Sequence, residues 1–316
     1  MKHSKIIINI VVISVAFFLF TIWYQNCIRS TVPTSSLSVV KYYKVYLITT
    51  NEKYQFWKYV NDGAADMATL TGVKYFWRFP DERNPEKQIE LINKAVDEGA
   101  QALLVAADDP KLISGTIEDA KARGVEVVYV DAPANEEALT TLATDNYEAG
   151  LVAGQKMISY LDSMGKKEGT IGIISILEKS TTKQREQGFR DAFATELTYK
   201  ILPTVYTDGE PDNAQLAAEQ VINQNTDLVG LFGTNEGTTQ GVGSAIKKND
   251  NKFVGIGFDK SDITNQLLNA GSLKVIINQN PYTMGYLGMA EAIAGMLGKN
   301  TGPSSINTGF TVLEKE

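Results

Sequence analysis

Residues 85–107 read PEKQIELINKAVDEGAQALLVAA, and two periods meet within them. From Pro85 to Gly99 the apolar residues Ile89, Ile92 and Val96 recur three and four apart, the spacing of one helical face. Pro85 suits a first helical turn, where its missing N–H is not needed, and Gly99 suits the turn just past the end. From Ala102 to Ala107 the residues are continuously apolar, as in a strand covered on both faces. A helix followed at once by such a strand is the repeating unit of a parallel sheet flanked by helices.

The unit recurs in both directions. KVYLIT (44–49), VKYFWRF (73–79), VEVVYVD (125–131), GTIGIISIL (169–177), ILPTVYT (201–207), LVGLFGT (228–234), FVGIGFD (253–259) and KVIINQ (274–279) are further apolar runs, separated by amphipathic stretches. Together with ALLVAA (102–107) they make nine strands, more than one such sheet holds comfortably, and 316 residues suffice for two cores. The break falls near LATDNYEAG (142–150), which predicts two βα lobes with a cleft between them. In such sheets ligands sit beyond the carboxyl ends of the strands.

The N-terminus has a different character. Residues 6–24, IIINIVVISVAFFLFTIWY, are apolar apart from Asn9, Ser14 and Thr21. As a helix these 19 residues span roughly 28 Å, close to the hydrocarbon thickness of a bilayer. Lys2, His3 and Lys5 precede the run, and Trp23 and Tyr24 close it as an interfacial belt. The expectation is an uncleaved single-pass anchor over residues 1–27, with the N-terminus in the cytoplasm and a Ser/Thr-rich tether over 28–43. A cleaved signal peptide would show small residues before its cut, which TIWYQNC lacks, and Tyr24, Gln25 and Asn26 make poor company for lipid attachment at Cys27.

Hydrogen-bonding side chains and aromatics stand at the predicted strand ends. Thr50, Tyr54, Phe56 and Trp57 follow the first run, Asp108 and Asp109 the third, and Asp131 closes the fourth. Glu178, Lys179, Ser180 and Lys183 follow the fifth; Asn235 follows LFGT, Asp259 ends GIGFD, and Gln279 and Asn280 follow KVII. Singly, each has a plainer reading: Asp145, Asn146 and Asn235 as helix caps, Phe56 or Trp57 as core. Converging on one cleft, carboxylates and amides match a ring of hydroxyls, and aromatic faces match sugar C–H faces.

Composition removes other chemistries. The net charge of −7 and the lack of a basic run argue against nucleic acid. One cysteine, Cys27, allows no intrachain disulfide, and the one histidine, His3, lies in the expected cytoplasmic tail, away from any triad or zinc site. GVG (241–243) and GIG (255–257) lack the third glycine of a dinucleotide fingerprint. DGEPDNAQLAAE (208–219) imitates a calcium loop but has Asn213 where glycine is required, and reads better as a capped helix. Asp108 and Asp109 are adjacent and point apart after a strand, which disfavours a glycosidase pair. No cofactor, metal or catalytic residue is expected.

KYQFW, VVYVDAP, REQGFRDAF, LFGTNEGTTQGVGSAI, GIGFD and INQNPYTMG, in this order and spacing, resemble the ribose/xylose branch of the type I periplasmic sugar-binding proteins over residues 44–313. The resemblance implies two doubly wound lobes joined by three crossovers, with residues 44–144 plus 280–302 in one lobe and 145–279 plus 303–316 in the other. It implies that Phe56 and Trp57 stack on a sugar, that Tyr54 adds a polar contact, and that Asp131 and Asp259 are acceptors from the two lobes. Asn235 becomes a hydroxyl-binding amide and Gln279 the glutamine at the hinge. Two positions depart from the family: Ala132 replaces an arginine after the first aspartate, and Lys183 aligns with a second arginine, with Arg185 two residues on. These departures weigh against ribose and leave another pentose, such as D-xylose, or a hexose. With the anchor, the chain is similar to membrane-tethered xylose-binding subunits that signal to a sensor histidine kinase. The alternative is a binding protein serving an ABC permease.

Overall fold

The computed structural model describes residues 41–177, 180–299 and 301–315. The apolar run 6–24, with the expected anchor and most of the tether, lies outside the described residues, as do Glu178 and Lys179. Among the described residues no helix is long and apolar enough to cross a membrane.

The chain first builds β1 (Lys44–Ile48), α1 (Gln55–Thr71), β2 (Lys74–Arg78), α2 (Pro85–Asp97), β3 (Ala102–Val105), α3 (Ser114–Ala122), β4 (Glu126–Val130) and β5 (Thr140–Ala143). These strands are parallel, in the order β5-β4-β3-β1-β2. The two-residue alternation sorts their side chains between faces: Tyr46, Ile48, Leu103, Val105, Val127 and Tyr129 pack with Ile92 of α2 and Ile117 of α3. The α2 helix begins at Pro85, capped by Asn84 accepting from the Lys87 N–H, and Gly99 takes a left-handed φ of 83° beyond its end.

The chain then crosses to a second sheet through α4 (Asn146–Ser163), β6 (Gly169–Ile176), α5 (Ser180–Ala192), β7 (Tyr199–Ile201), β8 (Val205–Thr207), α6 (Pro211–Gln224), β9 (Leu228–Gly233), α7 (Glu236–Lys248), β10 (Val254–Phe258), α8 (Asp262–Asn269) and β11 (Val275–Gln279). It returns to the first lobe in α9 (Pro281–Met296) and β12 (Ser305–Asn307), then re-enters the second in β13 (Phe310–Glu314). β12 lies parallel to β5, and β13 lies antiparallel to β11. The three crossings are therefore at residues 144–145, 280 and 308–309.

Two expectations change in detail. The resemblance implies that residues 303–316 belong wholly to the second lobe, but Ser305–Asn307 hydrogen-bond to Thr141–Ala143 in the first sheet. The predicted run 201–207 is not one strand: it holds the last residue of β7 and the whole of β8, which pair with different ends of β6. Pro203 between them has no N–H to donate, so the ladder breaks there.

Each lobe contains a helix pair pressed together at glycines. A Cβ on Gly63 of α1 would run into the Tyr282 carbonyl of α9, and one on Gly285 into the Val60 carbonyl. In the second lobe, Gly150 of α4 meets the Arg185 carbonyl, and Gly188 of α5 meets the Tyr147 carbonyl. Such contacts bring helix backbones close and set the depth at which α1 and α5 present their N-terminal residues to the cleft.

Candidate functional site

A cavity of about 470 Å³ opens between the carboxyl ends of the two sheets, within the size range of small-molecule sites. The first lobe contributes Thr50, Tyr54, Phe56, Trp57, Arg83 and Asp131. The second contributes Thr182, Arg185, Asn235, Glu236 and Asp259, with Gln279 at a crossing between them.

The two aspartates occupy matching places. Asp131 follows β4 and Asp259 follows β10; both are buried, with φ of 66° and 68°. Each donates its backbone N–H to the neighbouring strand, Asp131 to the Leu142 carbonyl at 2.8 Å and Asp259 to the Ile277 carbonyl at 2.9 Å. A left-handed backbone at a residue other than glycine costs on the order of 1 kcal/mol, and such strain gathers at functional sites. Here it turns a carboxylate off each strand end into the cavity.

Arg185 lines the same cavity and feels the charge of both aspartates. It is fully buried on α5, donates through Nε to Asn146 Oδ1 at 2.7 Å and through Nη1 to the Thr234 carbonyl at 2.8 Å, and its guanidinium sits 4.2 Å from the Phe258 ring centre. Burial lowers its pKa from the ordinary value, while the charges of Asp259 and Asp131 act to raise it. Asp259 is pushed up to about 6, chiefly by burial, against the opposing pull of Arg185 and of Gln279, whose Nε2 donates to Asp259 Oδ1 at 2.9 Å. The Gln279 Oε1 is buried and accepts no hydrogen bond among the described residues.

Phe56 and Trp57 are buried in the first turn of α1 and meet edge to face, with centroids 4.8 Å apart. The Tyr54 hydroxyl donates across the cleft to the Gly209 carbonyl at 2.9 Å. Asn235 has both of the roles considered for it. Its Oδ1 caps α7, accepting from the Thr238 N–H at 3.2 Å, while the residue lines the cavity.

Of the residues singled out, Tyr54, Phe56, Trp57, Asp131, Asn235, Asp259 and Gln279 come together; Lys183 does not. Lys183 is exposed on α5, whereas Thr181, Thr182, Arg185, Gly188 and Phe189 form the buried face. Two residues along a helix are about 200° around its axis, so Lys183 and Arg185 cannot share a face. The guanidinium is therefore supplied from Arg185, and the signal that finds it is the helical spacing of Arg185 to Phe189. Asn146, expected as a cap, instead orients Arg185; Asp145 is the cap of α4.

Thr182, Arg83, Glu236 and Gly209 also line the cavity and are not singled out by the sequence pattern. Arg83 enters from the β2–α2 loop and donates to Asp108 Oδ1. Glu236 and Gly209 face the cleft from the second lobe. Asp109 accepts from the Lys111 and Leu112 N–H groups, so the adjacent aspartates are engaged in different directions. The calcium-like stretch is helical from Pro211 onward, and Glu219 bonds Gln215 and Lys248 instead.

The family model described as a periplasmic binding protein domain matches residues 45–300. The chain belongs to the periplasmic binding protein family. Among its relatives, the ribose import binding protein RbsB of Haemophilus influenzae is 23% identical over 238 residues, which cover 75% of this chain and 80% of that protein. The xylose/arabinose-binding protein XylF of Sulfolobus acidocaldarius is 24% identical over 258 residues, 76% of this chain and 62% of its own. A carbohydrate transporter solute binding protein from Agrobacterium radiobacter, solved in complex with D-arabinose, matches with a TM-score of 0.83 and 27% identity, covering 87% of this chain and 95% of that one. These matches agree with the resemblance to the ribose/xylose branch of this periplasmic binding protein family.

Proposed function

We propose that this periplasmic binding protein takes a monosaccharide, a pentose such as D-xylose, into the cleft outside the cytoplasm and closes its lobes around it. The observation that carries the reading is the pair of left-handed, buried aspartates, Asp131 and Asp259, one from each lobe, sharing one cavity with Arg185 and an aromatic pair. Carboxylates accept from sugar hydroxyls, a guanidinium donates to hydroxyl and ring oxygens, and Phe56 and Trp57 cover an apolar sugar face. A hydroxyl donor would also satisfy the buried Gln279 Oε1. Ribose, xylose and arabinose in the names of its relatives, and D-arabinose in the similar structure, support a pentose.

A ligand that contacts both lobes binds the closed state better, and only that difference shifts the hinge equilibrium. The apolar run 6–24 supports a tethered protein whose closure is read by a membrane-bound sensor histidine kinase. Delivery to an ABC permease is the second reading, supported by the transporter solute binding protein among its structural neighbours.

Thermal denaturation of the full chain against D-xylose, D-ribose, arabinose, glucose, galactose and an amino-acid control tests the reading. Ligand at 100 times its dissociation constant adds about 2.7 kcal/mol, a rise of several degrees. A selective rise with one pentose is expected; no response to any sugar overturns it. Deleting the gene in cells separates the two partners: lost sugar-dependent transcription with intact uptake supports the kinase, and the reverse supports the permease.

A further inference from the structure

The N-terminus of α1 carries the aromatic pair yet lacks a cap of its own. Its N-cap residue, Tyr54, makes no side-chain cap hydrogen bond, and the first turn contains no acidic residue. Free N–H groups at a buried helix start need acceptors. They find them on the other lobe: Gln55 N–H donates to Glu236 Oε1 at 3.4 Å and Phe56 N–H to Glu236 Oε2 at 3.2 Å.

Glu236 is itself in the first turn of α7. One buried carboxylate thus lies between the positive ends of two helices from different lobes, held by Gln240 Nε2 at 3.1 Å. Its neighbours repeat the crossing. Lys53 pairs with Glu210, the Tyr54 hydroxyl reaches the Gly209 carbonyl, and Gln55 exchanges two bonds with Asp262, its Nε2 to Oδ2 at 3.1 Å and the Asp262 N–H to its Oε1 at 2.8 Å. Four consecutive residues, 53–56, therefore each engage a different second-lobe group.

We propose that Glu236 is a positioning residue that caps α1 across the cleft, so that the helix start holding Phe56 and Trp57 is completed only when the lobes are closed. Closure then locks the aromatic pair at the moment that it encloses a ligand, and opening releases the cap and the pair together. The proposal rests on the cleft being the ligand site, but the cap is readable without any ligand. Glu236 touches the backbone of α1 and acts on the ligand through it, which makes its effect one on residence time.

Hydrogen exchange of the full chain at pH 8, free and mixed with D-xylose, tests this in Glu236→Gln and Glu236→Ala. In both variants the amides of Gln55 and Phe56 should exchange about tenfold faster in at least the mixed sample, with strand Ala102–Val105 unchanged. Stopped-flow tryptophan fluorescence should then show D-xylose leaving about tenfold faster and associating at nearly the wild-type rate. Unchanged exchange at those two amides overturns the cap whatever the sugar does. Faster exchange throughout, the core strand included, also overturns it, because Glu236 would then be a general stability residue. If D-xylose fails to bind the wild type in thermal denaturation, that choice of ligand fails, and the exchange result still decides the cap.

Discussion

Replacing Arg185 by methionine should expose how much of this site is held by one buried charge. Methionine fills most of the arginine stem's volume without strain, so packing changes little. What disappears is the guanidinium facing Asp259 and Asp131, with its bonds to Asn146 Oδ1 and the Thr234 carbonyl and its contact with the Phe258 ring. Stripping buried carboxylates of a nearby opposite charge costs up to about 3–5 kcal/mol, the figure for a fully broken buried ion pair. For a chain of this size that is a fall in melting temperature on the order of 10 °C at pH 8.

The same argument predicts a pH signature. Asp259 already titrates at about 6 with Arg185 present and must rise further without it, so by pH 5 it is protonated in the variant. The uncompensated charge is then gone, and the deficit should shrink to about 1–2 kcal/mol, the cost of unsatisfied partners at Asn146 and Thr234. Urea unfolding of wild type and Arg185→Met at pH 8 and pH 5 measures both quantities. An equal deficit at the two pH values would refute the counter-charge account, and no deficit would show that the cleft carboxylates do not depend on Arg185 at all.

Trp57→Ala should weaken pentose binding by about tenfold, from a lost stacking surface worth roughly 1–1.5 kcal/mol, with melting of the sugar-free chain lowered only modestly; titration calorimetry and thermal denaturation separate the two. In the wild type, burial raises Asp259 from its ordinary 3.8 to about 6, so the folded chain takes up a proton before the unfolded chain does. Its contribution to stability should therefore improve as pH falls through 6 and level off below about 4, and Asp259→Asn should flatten that part of a melting-temperature profile. Sugar affinity should move oppositely, falling below pH 6 as the acceptor is protonated. Gly188→Ala puts a methyl against the Tyr147 carbonyl and should destabilise by about 1–3 kcal/mol, whereas Gly115→Ala in α3 meets nothing within 4 Å and should stabilise by roughly 0.5–1 kcal/mol in chemical denaturation.

Much of this architecture is local information. The change from helical to continuous apolar spacing within 85–107 specifies an element pair from neighbouring residues alone, and repetition of that pair specifies parallel sheets with a cleft at their carboxyl ends. Asp131, Asn235, Asp259 and Gln279 were legible because each is the first or second polar residue after an apolar run, and a strand end is a position that periodicity locates. Pro203 shows the limit of that method: apolar residues on both sides continue the run, yet the absent N–H divides it into β7 and β8.

Lys183 and Arg185 mark the next limit. Both are cations near a helix start, and only their angular positions against Phe189 and the α4 backbone put one inside and the other in solvent. Glu236 was beyond sequence reasoning altogether. Beside Asn235 it is an ordinary first-turn acid, and its second set of partners, Gln55 and Phe56, lies 181 and 180 residues away. Periodicity, caps and strand ends depend on atoms a few bonds apart, so the chain by itself determined the elements, the two-lobe class and the rim of the site. The cap across the cleft, the buried guanidinium sharing a cavity with two carboxylates and the shifted titration of Asp259 depend on distance and solvent exclusion between segments that only the folded lobes bring together.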